Sequence, residues 1–308
     1  MISRPLAAIL LKVTSIAVFV GMQSFIKLAG IVPAGQIVFY RSFFAMVPIL
    51  ILLAWTGELR TGFRTARPGR HIVRGIVGVS SMALGFFALT RLPLPEAIML
   101  NYAQPLLVVV ISALVLGEKV RFFRWTAVAV GFLGVLIISW PKLTLFASDE
   151  GMGSAEALGV VAAITAAAIS AVALLQVRAL VATDKSSTVV IWFSLTASIA
   201  GLLTVPFGWA PLTGWQLFFL VMSGICGGIA QVLMTEAYRY ASVATVAPFE
   251  YSSILFGLVV GYLLFADIPT IHSIVGGAIV VGSGLMIIWR EQRLGLERGK
   301  ARKVTPPQ

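Results

Sequence analysis

The chain has 308 residues, of which 59% are hydrophobic and only 11% charged, with a mean hydropathy of +0.98. Soluble domains carry charge on about a quarter of their residues, so a soluble enzyme or binding module is excluded. A net charge of +11 would suggest nucleic acid in a soluble protein. Here the basic residues follow the loops of a membrane chain, and no nucleic-acid partner is expected.

Apolar stretches of about 20 residues, the length a helix needs to cross the hydrocarbon of a bilayer, recur from end to end. In chain order they lie near 5–28, 35–56, 71–90, 94–116, 123–140, 155–180, 187–208, 213–238, 242–265 and 271–290. They predict an all-α integral membrane protein with ten transmembrane helices. Alternating segments of about 10 residues, the mark of membrane barrels, are not the pattern. The first span could be mistaken for a secretory signal, but no small-residue cleavage site leads into a polar start over residues 18–34. The longest connections are 57–70 and 141–154, and a basic tail follows at 291–308.

With the first residue inside, all but five of the 23 Lys and Arg residues fall on the cytoplasmic side: Lys12, Lys27 and Arg41 lie in spans, and Arg91 and Lys142 in outer loops. Arg74 counts with the cytoplasmic group in this reading. The asymmetry predicts a multi-pass protein of the inner, cytoplasmic membrane with both termini in the cytoplasm. Trp55, Trp140, Trp209, Trp215 and Trp289 stand at span ends, where aromatic anchors belong.

The second half repeats the first at an offset of 149 residues. The run AIMLNYAQPLLVVVISALVLGE from Ala97 lies over VAPFEYSSILFGLVVGYLLFAD from Val246, so Asn101 matches Glu250 and Tyr102 matches Tyr251. Gly75, Gly78, Leu84 and Ala88 match Gly224, Gly227, Leu233 and Ala237. Gly134 answers Gly284 after a one-residue slip. The expected units are therefore 5–140 and 155–290. Five helices per copy is an odd number, so the second copy enters the membrane upside down, with Glu118 facing the cytoplasm and Asp267 the outside. Two inverted five-helix repeats make a secondary transporter, with the substrate site where they meet.

Polar groups inside spans are costly and mark candidate sites. Glu250 stands about eight residues, or roughly 12 Å, into its span, and Asn101 is its amide counterpart. A substrate contact or a proton-coupling carboxylate fits Glu250, and so does a structural pair with Arg41. For Arg41 itself, binding of an anionic group and structural pairing are equally open. Lys12 and Lys27 are expected to snorkel to the two surfaces.

On the fourth span Asn101, Gln104 and Pro105 share a face, and Pro105 frees a carbonyl near Asn101 that a cavity or side chain must satisfy. On the eighth span Gly227, Gln231 and Thr235 step along one face beside Gly224-x-x-x-Gly228, a motif expected to serve close packing. Tyr102, Tyr251, Phe86, Phe87 and Trp192 are the nearby aromatics. The expected substrate set is Arg41, Asn101, Tyr102, Gln104, Trp192, Gln231, Glu250 and Tyr251, suited to a planar heterocyclic metabolite. The coupling group is Glu250.

Enzyme signatures are missing. His71 and His272 stand far apart at span ends, and no metal motif is present. Gly295-x-x-x-Gly299-Lys300 lacks Walker spacing. Cys226 is the one cysteine, so there is no intrachain disulfide. No catalytic residues, metals or cofactors are expected. Partners are a small molecule and the bilayer, with a monomer or a homodimer both open.

The run Leu94–Trp140, with Glu96-Ala97, mid-helix Pro105, Leu116-Gly117-Glu118 and Gly131-x-x-Gly134, resembles the EamA repeat of the drug/metabolite transporter superfamily. The Pro248…Asp267…Gly284 run resembles a second copy, with Ala266-Asp267 in place of Gly-Glu. The resemblance implies a central cavity lined by the third and fourth helices of each repeat and parts of the first. The segment from Phe86 to Val120 is most similar to bacterial vitamin and metabolite importers, notably the riboflavin transporter branch, although S-adenosylmethionine and amino-acid carriers share such strings. It implies riboflavin uptake by alternating access, with export of amino acids or drugs as the other reading.

Overall fold

The computed structural model describes residues 4–115, 122–143, 155–181, 183–240 and 247–304. The Leu116-Gly117-Glu118 motif, and with it the expected placement of Glu118, lies outside the described residues. Every regular element described is helical: α1 (Arg4–Leu28), α2 (Ala34–Trp55), the short α3 (Leu59–Gly62), α4 (Pro68–Leu89), α5 (Leu94–Asn101), α6 (Ala103–Val115), α7 (Phe122–Leu143), α8 (Ala155–Val181), α9 (Ser186–Leu202), α10 (Gly214–Tyr240), α11 (Ser252–Phe265) and α12 (Ile271–Val304). Two 3₁₀ turns, Val205–Phe207 and Ala247–Tyr251, precede α10 and α11.

Seven helical stretches are long and apolar enough to cross a membrane: Leu6–Leu28, Ala34–Trp55, Pro68–Leu89, Leu94–Val115, Ala155–Val177, Gly214–Met234 and Ile271–Arg290. Three more are apolar but shorter, Trp125–Pro141, Ser187–Leu202 and Phe249–Phe265. Proline and glycine set many of the boundaries. Pro33, Pro68 and Pro93 each stand at or beside a helix start, where a missing N–H costs nothing. Gly30, with φ +76°, turns the chain between α1 and α2. The last helix runs on to Val304, past its expected end at 290.

Large apolar side chains cover the outside of the bundle, among them Ile51 at 60% exposure and Leu263 at 71%. A water-soluble surface does not present apolar area on this scale, and lipid is the solvent that accepts it. Trp55, Trp140 and Trp215 are exposed at or near helix ends, and Trp289 is exposed where the apolar stretch of α12 ends. Trp209 is not an anchor of this kind: its indole donates to Thr204 Oγ1 at 2.9 Å and packs on Phe39 and Tyr40.

Helices at equal places along the two halves meet each other: α2 with α9, α5 with α11, and α7 with α12. The first helix of each half packs on the third of the other, α1 on α10 and α4 on α8. Glycines make the closest crossings possible. A Cβ on Gly134 would lie 2.7 Å from the Gly276 carbonyl oxygen, and one on Gly276 would lie 2.5 Å from that of Gly134. Gly224 and Gly228 seat α10 on α2 in the same way, against Phe44 and the Ala45 carbonyl. Backbones this close gain van der Waals contact, the main attraction left between helices in lipid.

At the end of α11 the chain turns through Ala266, whose φ of 52° is the left-handed region. The Ala266 N–H bonds the Tyr262 carbonyl at 3.2 Å and the Asp267 N–H reaches the Gly261 carbonyl at 3.0 Å. This is the helix stop that glycine usually occupies, and the alanine there bears a Cβ against its own carbonyl. Ala266→Gly is expected to stabilise the protein by about 0.5–1 kcal/mol. Thermal unfolding in detergent checks this, and an unfolding temperature unchanged or lowered contradicts it.

Candidate functional site

The cavity of interest, about 280 Å³, opens between the two halves of the chain. Gln23 of α1 lines it, with Arg74, Ser81 and Phe86 of α4, Asn101 of α5, Ser170 of α8 and Phe193 of α9. Its size stands just below the range of roughly 300–1,000 Å³ typical of ligand pockets, which suits a small solute. Ser81 donates to the Ala166 carbonyl at 2.8 Å and so pins α4 to α8 across the wall.

The floor of the site is a broken helix. The fourth span divides at Asn101–Tyr102 into α5 and α6, because Pro105 supplies no N–H to the carbonyl one turn back. Asn101 ends α5 and is exposed to the cavity. At the matching place in the second half, Glu250 and Tyr251 lie in the 3₁₀ turn that precedes α11. Tyr102 and Tyr251, matched by the sequence repeat, stack on each other with ring centroids 4.9 Å apart and an interplanar angle of 21°. The Tyr102 hydroxyl donates to the Glu250 carbonyl and lies 2.7 Å from Ser253 Oγ. A Cβ on Gly284 would overlap the Tyr251 hydroxyl, so that glycine leaves the space the ring needs.

Glu250 pairs with Lys12, not with Arg41: Lys12 Nζ lies 2.7 Å from Glu250 Oε1. Helix α1 packs on the turn that carries Glu250 and brings the amine within reach. Lys12 is only 2% exposed and does not snorkel, whereas Glu250 is 46% exposed. Lys27 is also buried in a pair. Its amine reaches Asp267 Oδ2 at 2.6 Å and the Leu92 carbonyl at 3.1 Å, and it lies over the Phe265 ring. Asp267 Oδ2 further accepts the Leu94 N–H at 2.9 Å. In a medium without water an acid three ångströms away is a better partner than a distant interface, and this overrides snorkelling.

The other expected site residues are dispersed. Gln104 donates to the Ser170 carbonyl at 3.5 Å, beside the cavity wall. Arg41 packs on Gly227, with its Nε 3.3 Å from where a Cβ would stand. Gln231 lies half-buried on α10. Trp192 belongs to a lock at one end of the bundle. Its indole donates to the Phe63 carbonyl at 3.2 Å and its ring leans on His71, 5.7 Å between centroids. Within that lock His71 Nε2 donates to Asp184 Oδ2 at 2.7 Å, and Thr65 donates to the same oxygen at 2.9 Å.

Arg74 is the cavity residue that sequence reading placed elsewhere. It lies in the second turn of α4, lines the cavity and holds its guanidinium 3.9 Å over the Phe193 ring. Counting charges by loop hid it, because a residue six positions into a helix still looks like a surface cation. Gln23 was also passed over, one of several amides in spans without a repeat partner to mark it.

The EamA-like transporter family model matches residues 6–140 and again 157–289. A riboflavin transporter of Rhizobium johnstonii is 29% identical over 262 residues, covering 85% of this chain and 83% of that protein. A pseudopaline exporter of Pseudomonas aeruginosa is 29% identical over 285 residues, 89% of this chain and 93% of that one. A solved crystal structure, 20% identical, superposes with a TM-score of 0.63 over 93% of this chain and 98% of that chain, and shares the fold.

Two outcomes follow from the pairing. Lys12 is the buried partner and Glu250 the half-exposed one, so Glu250→Gln is expected to cost about 1–3 kcal/mol and Lys12→Met under about 1 kcal/mol. Thermal unfolding of both singles and the double variant measures the coupling, and equal costs for the singles would refute the asymmetry. At the lock, the hydrogen bond from His71, with that from Thr65, holds the Asp184 carboxyl below its ordinary value of 3.8. Its contribution is therefore complete above that value and is lost as pH falls below it. Hydrogen exchange around residues 63–71 is expected to quicken in that acid window, and in Asp184→Asn at every pH.

Proposed function

We propose that this chain, which belongs to the EamA-like transporter family and is a multi-pass membrane transporter and not an enzyme, is a secondary carrier that moves one small metabolite across the cytoplasmic membrane by alternating access. Ten crossing helices in two oppositely oriented copies of five, with both termini in the cytoplasm, are the arrangement on which this rests. The observation that carries it is the cavity between the halves, walled by α1, α4 and α5 of one and α8 and α9 of the other. It adjoins the helix break at Asn101–Tyr102, whose repeat mates Glu250–Tyr251 also lie outside regular α-helix. Broken helices near the midplane are where carriers of this kind bind their solute. Rocking one half against the other would open the same cavity to each side in turn.

Riboflavin uptake is the substrate reading, supported by the 29% identity to a transporter of that name. Phe86 and Phe193 give the cavity apolar wall for a ring, and Asn101 and Gln23 are the lining amides for its edge. Export is the second reading, favoured by the equal identity to an exporter; amino acids or drugs are the solutes it would carry. Glu250 is the coupling group in either direction. Protonation would release Lys12 from its carboxylate, and a half-exposed acid next to a buried amine is placed to exchange that proton with water.

A riboflavin auxotroph expressing this gene is expected to grow on low external vitamin and to accumulate the labelled compound; no growth and no uptake remove the vitamin reading. Lowered accumulation of toxic solutes without vitamin uptake favours export. In vesicles Glu250→Gln is expected to keep exchange flux and to lose its dependence on pH. If that dependence survives, the coupling role belongs elsewhere.

A further inference from the structure

We propose that the cavity recognises a small organic oxyanion, a carboxylate or a phosphate ester, through Arg74, with Arg41 as a second positive charge behind it. The proposal deepens the carrier reading and rests on it.

Lys12, Lys27, Arg41 and Arg74 are cations of the apolar helices that are buried or half-buried, and they fall into two classes. Lys12 and Lys27 each have a carboxylate, at 2.7 and 2.6 Å. Arg41 and Arg74 have none: among the described residues neither forms an ion pair. Arg74 Nε and Nη1 and Arg41 Nε are buried without a hydrogen-bond acceptor. An unpaired buried charge is expensive, and the two lysines show that this chain can supply an acid to a buried or half-buried cation.

The two guanidinium charges also act on one another, which raises the cost of leaving both unneutralised. Among the described residues no Asp or Glu lines the cavity, so none of those lining it repels an anion. Phe193 covers one face of the Arg74 guanidinium and orients its plane. Arg74 is a residue of the cavity wall, and a guanidinium carries its edge N–H donors as a fork, the geometry that accepts two oxygens of one carboxylate or phosphate. Gln23 and Asn101, on the same wall, remain for the uncharged part of the solute.

The test uses the full chain in nanodiscs of zwitterionic lipid, titrated with benzoate, phenyl phosphate and neutral benzamide at constant ionic strength. Thermal unfolding followed by tryptophan fluorescence reports binding. One or both oxyanions are expected to stabilise the protein saturably, and benzamide not; benzoate against phenyl phosphate separates carboxylate from phosphate recognition. Arg74→Gln is expected to weaken oxyanion affinity about tenfold or more, the size of a lost charge-assisted hydrogen bond. Arg74→Lys keeps the preference for anion over amide, which a merely structural arginine would not govern. Should Arg74→Gln fail to fold, Arg41→Gln, which leaves the Phe193 contact intact, is expected to weaken oxyanion binding and to steepen nothing for benzamide.

Equal stabilisation by benzamide, oxyanion binding that survives Arg74→Gln, or no stabilisation by either oxyanion overturns the proposal. Flux is measured separately in vesicles with riboflavin and with riboflavin 5′-phosphate. Absence of flux for both would remove the vitamin reading and leave the nanodisc result standing. Flux of the neutral vitamin with its phosphate excluded would overturn the anion proposal and keep the carrier.

Discussion

A charge in hydrocarbon must meet its opposite, and α1 meets two. Lys12 and Lys27, 15 residues apart or about 22 Å along the helix, bind Glu250 and Asp267 at the two ends of the segment that contains α11. The first helix of one half is thereby tied to the fourth helix of the other in a single register. Sliding α1 by one turn would part both pairs at once. Asp267 extends the tie by accepting the first N–H of α5, so the fourth helices of both halves are gathered around the same carboxylate.

That registration decides where the helix breaks fall. With α1 held, the interrupted stretch at Asn101–Tyr102 stands against the turn at Glu250–Tyr251, and the two tyrosines can stack. Their contact closes one side of the interface between the halves, while α4 and α8, crossing with small residues, leave the other side open as the cavity. The Lys12–Glu250 pair thus holds α1 against the turn before α11, with its amine buried and its acid half-exposed. The contrast between the paired lysines and the unpaired arginines carries the same logic into recognition. The fold neutralises the cations it needs and leaves two for a solute.

Much of this was legible in the chain. The repeat register placed Tyr102 against Tyr251 before any contact was known, and Pro105 marked the break beside Asn101. The Gly224-x-x-x-Gly228 spacing announced a close crossing, and the crossing partner is α2. The partners of charged groups were not legible. Arg41 was the partner expected for Glu250 and Lys12 was expected to snorkel, because sequence spacing says nothing about which of two distant helices will face the acid. Arg74 was hidden by its neighbourhood of surface arginines, and Trp192 looked like a site aromatic although it caps a loop.

By itself, the sequence determined the solvent of this protein, its duplicated plan and, through Pro105, the level at which the fourth span of the first half would break. Those follow from hydropathy, periodicity and the missing N–H of proline, which are properties of the chain read locally. Only the tertiary structure decided which cations would be neutralised and which left facing a cavity. Neutralisation depends on distances of about three ångströms between helices more than 200 residues apart in the chain, as Lys12 and Glu250 are, and no local pattern encodes a distance of that kind.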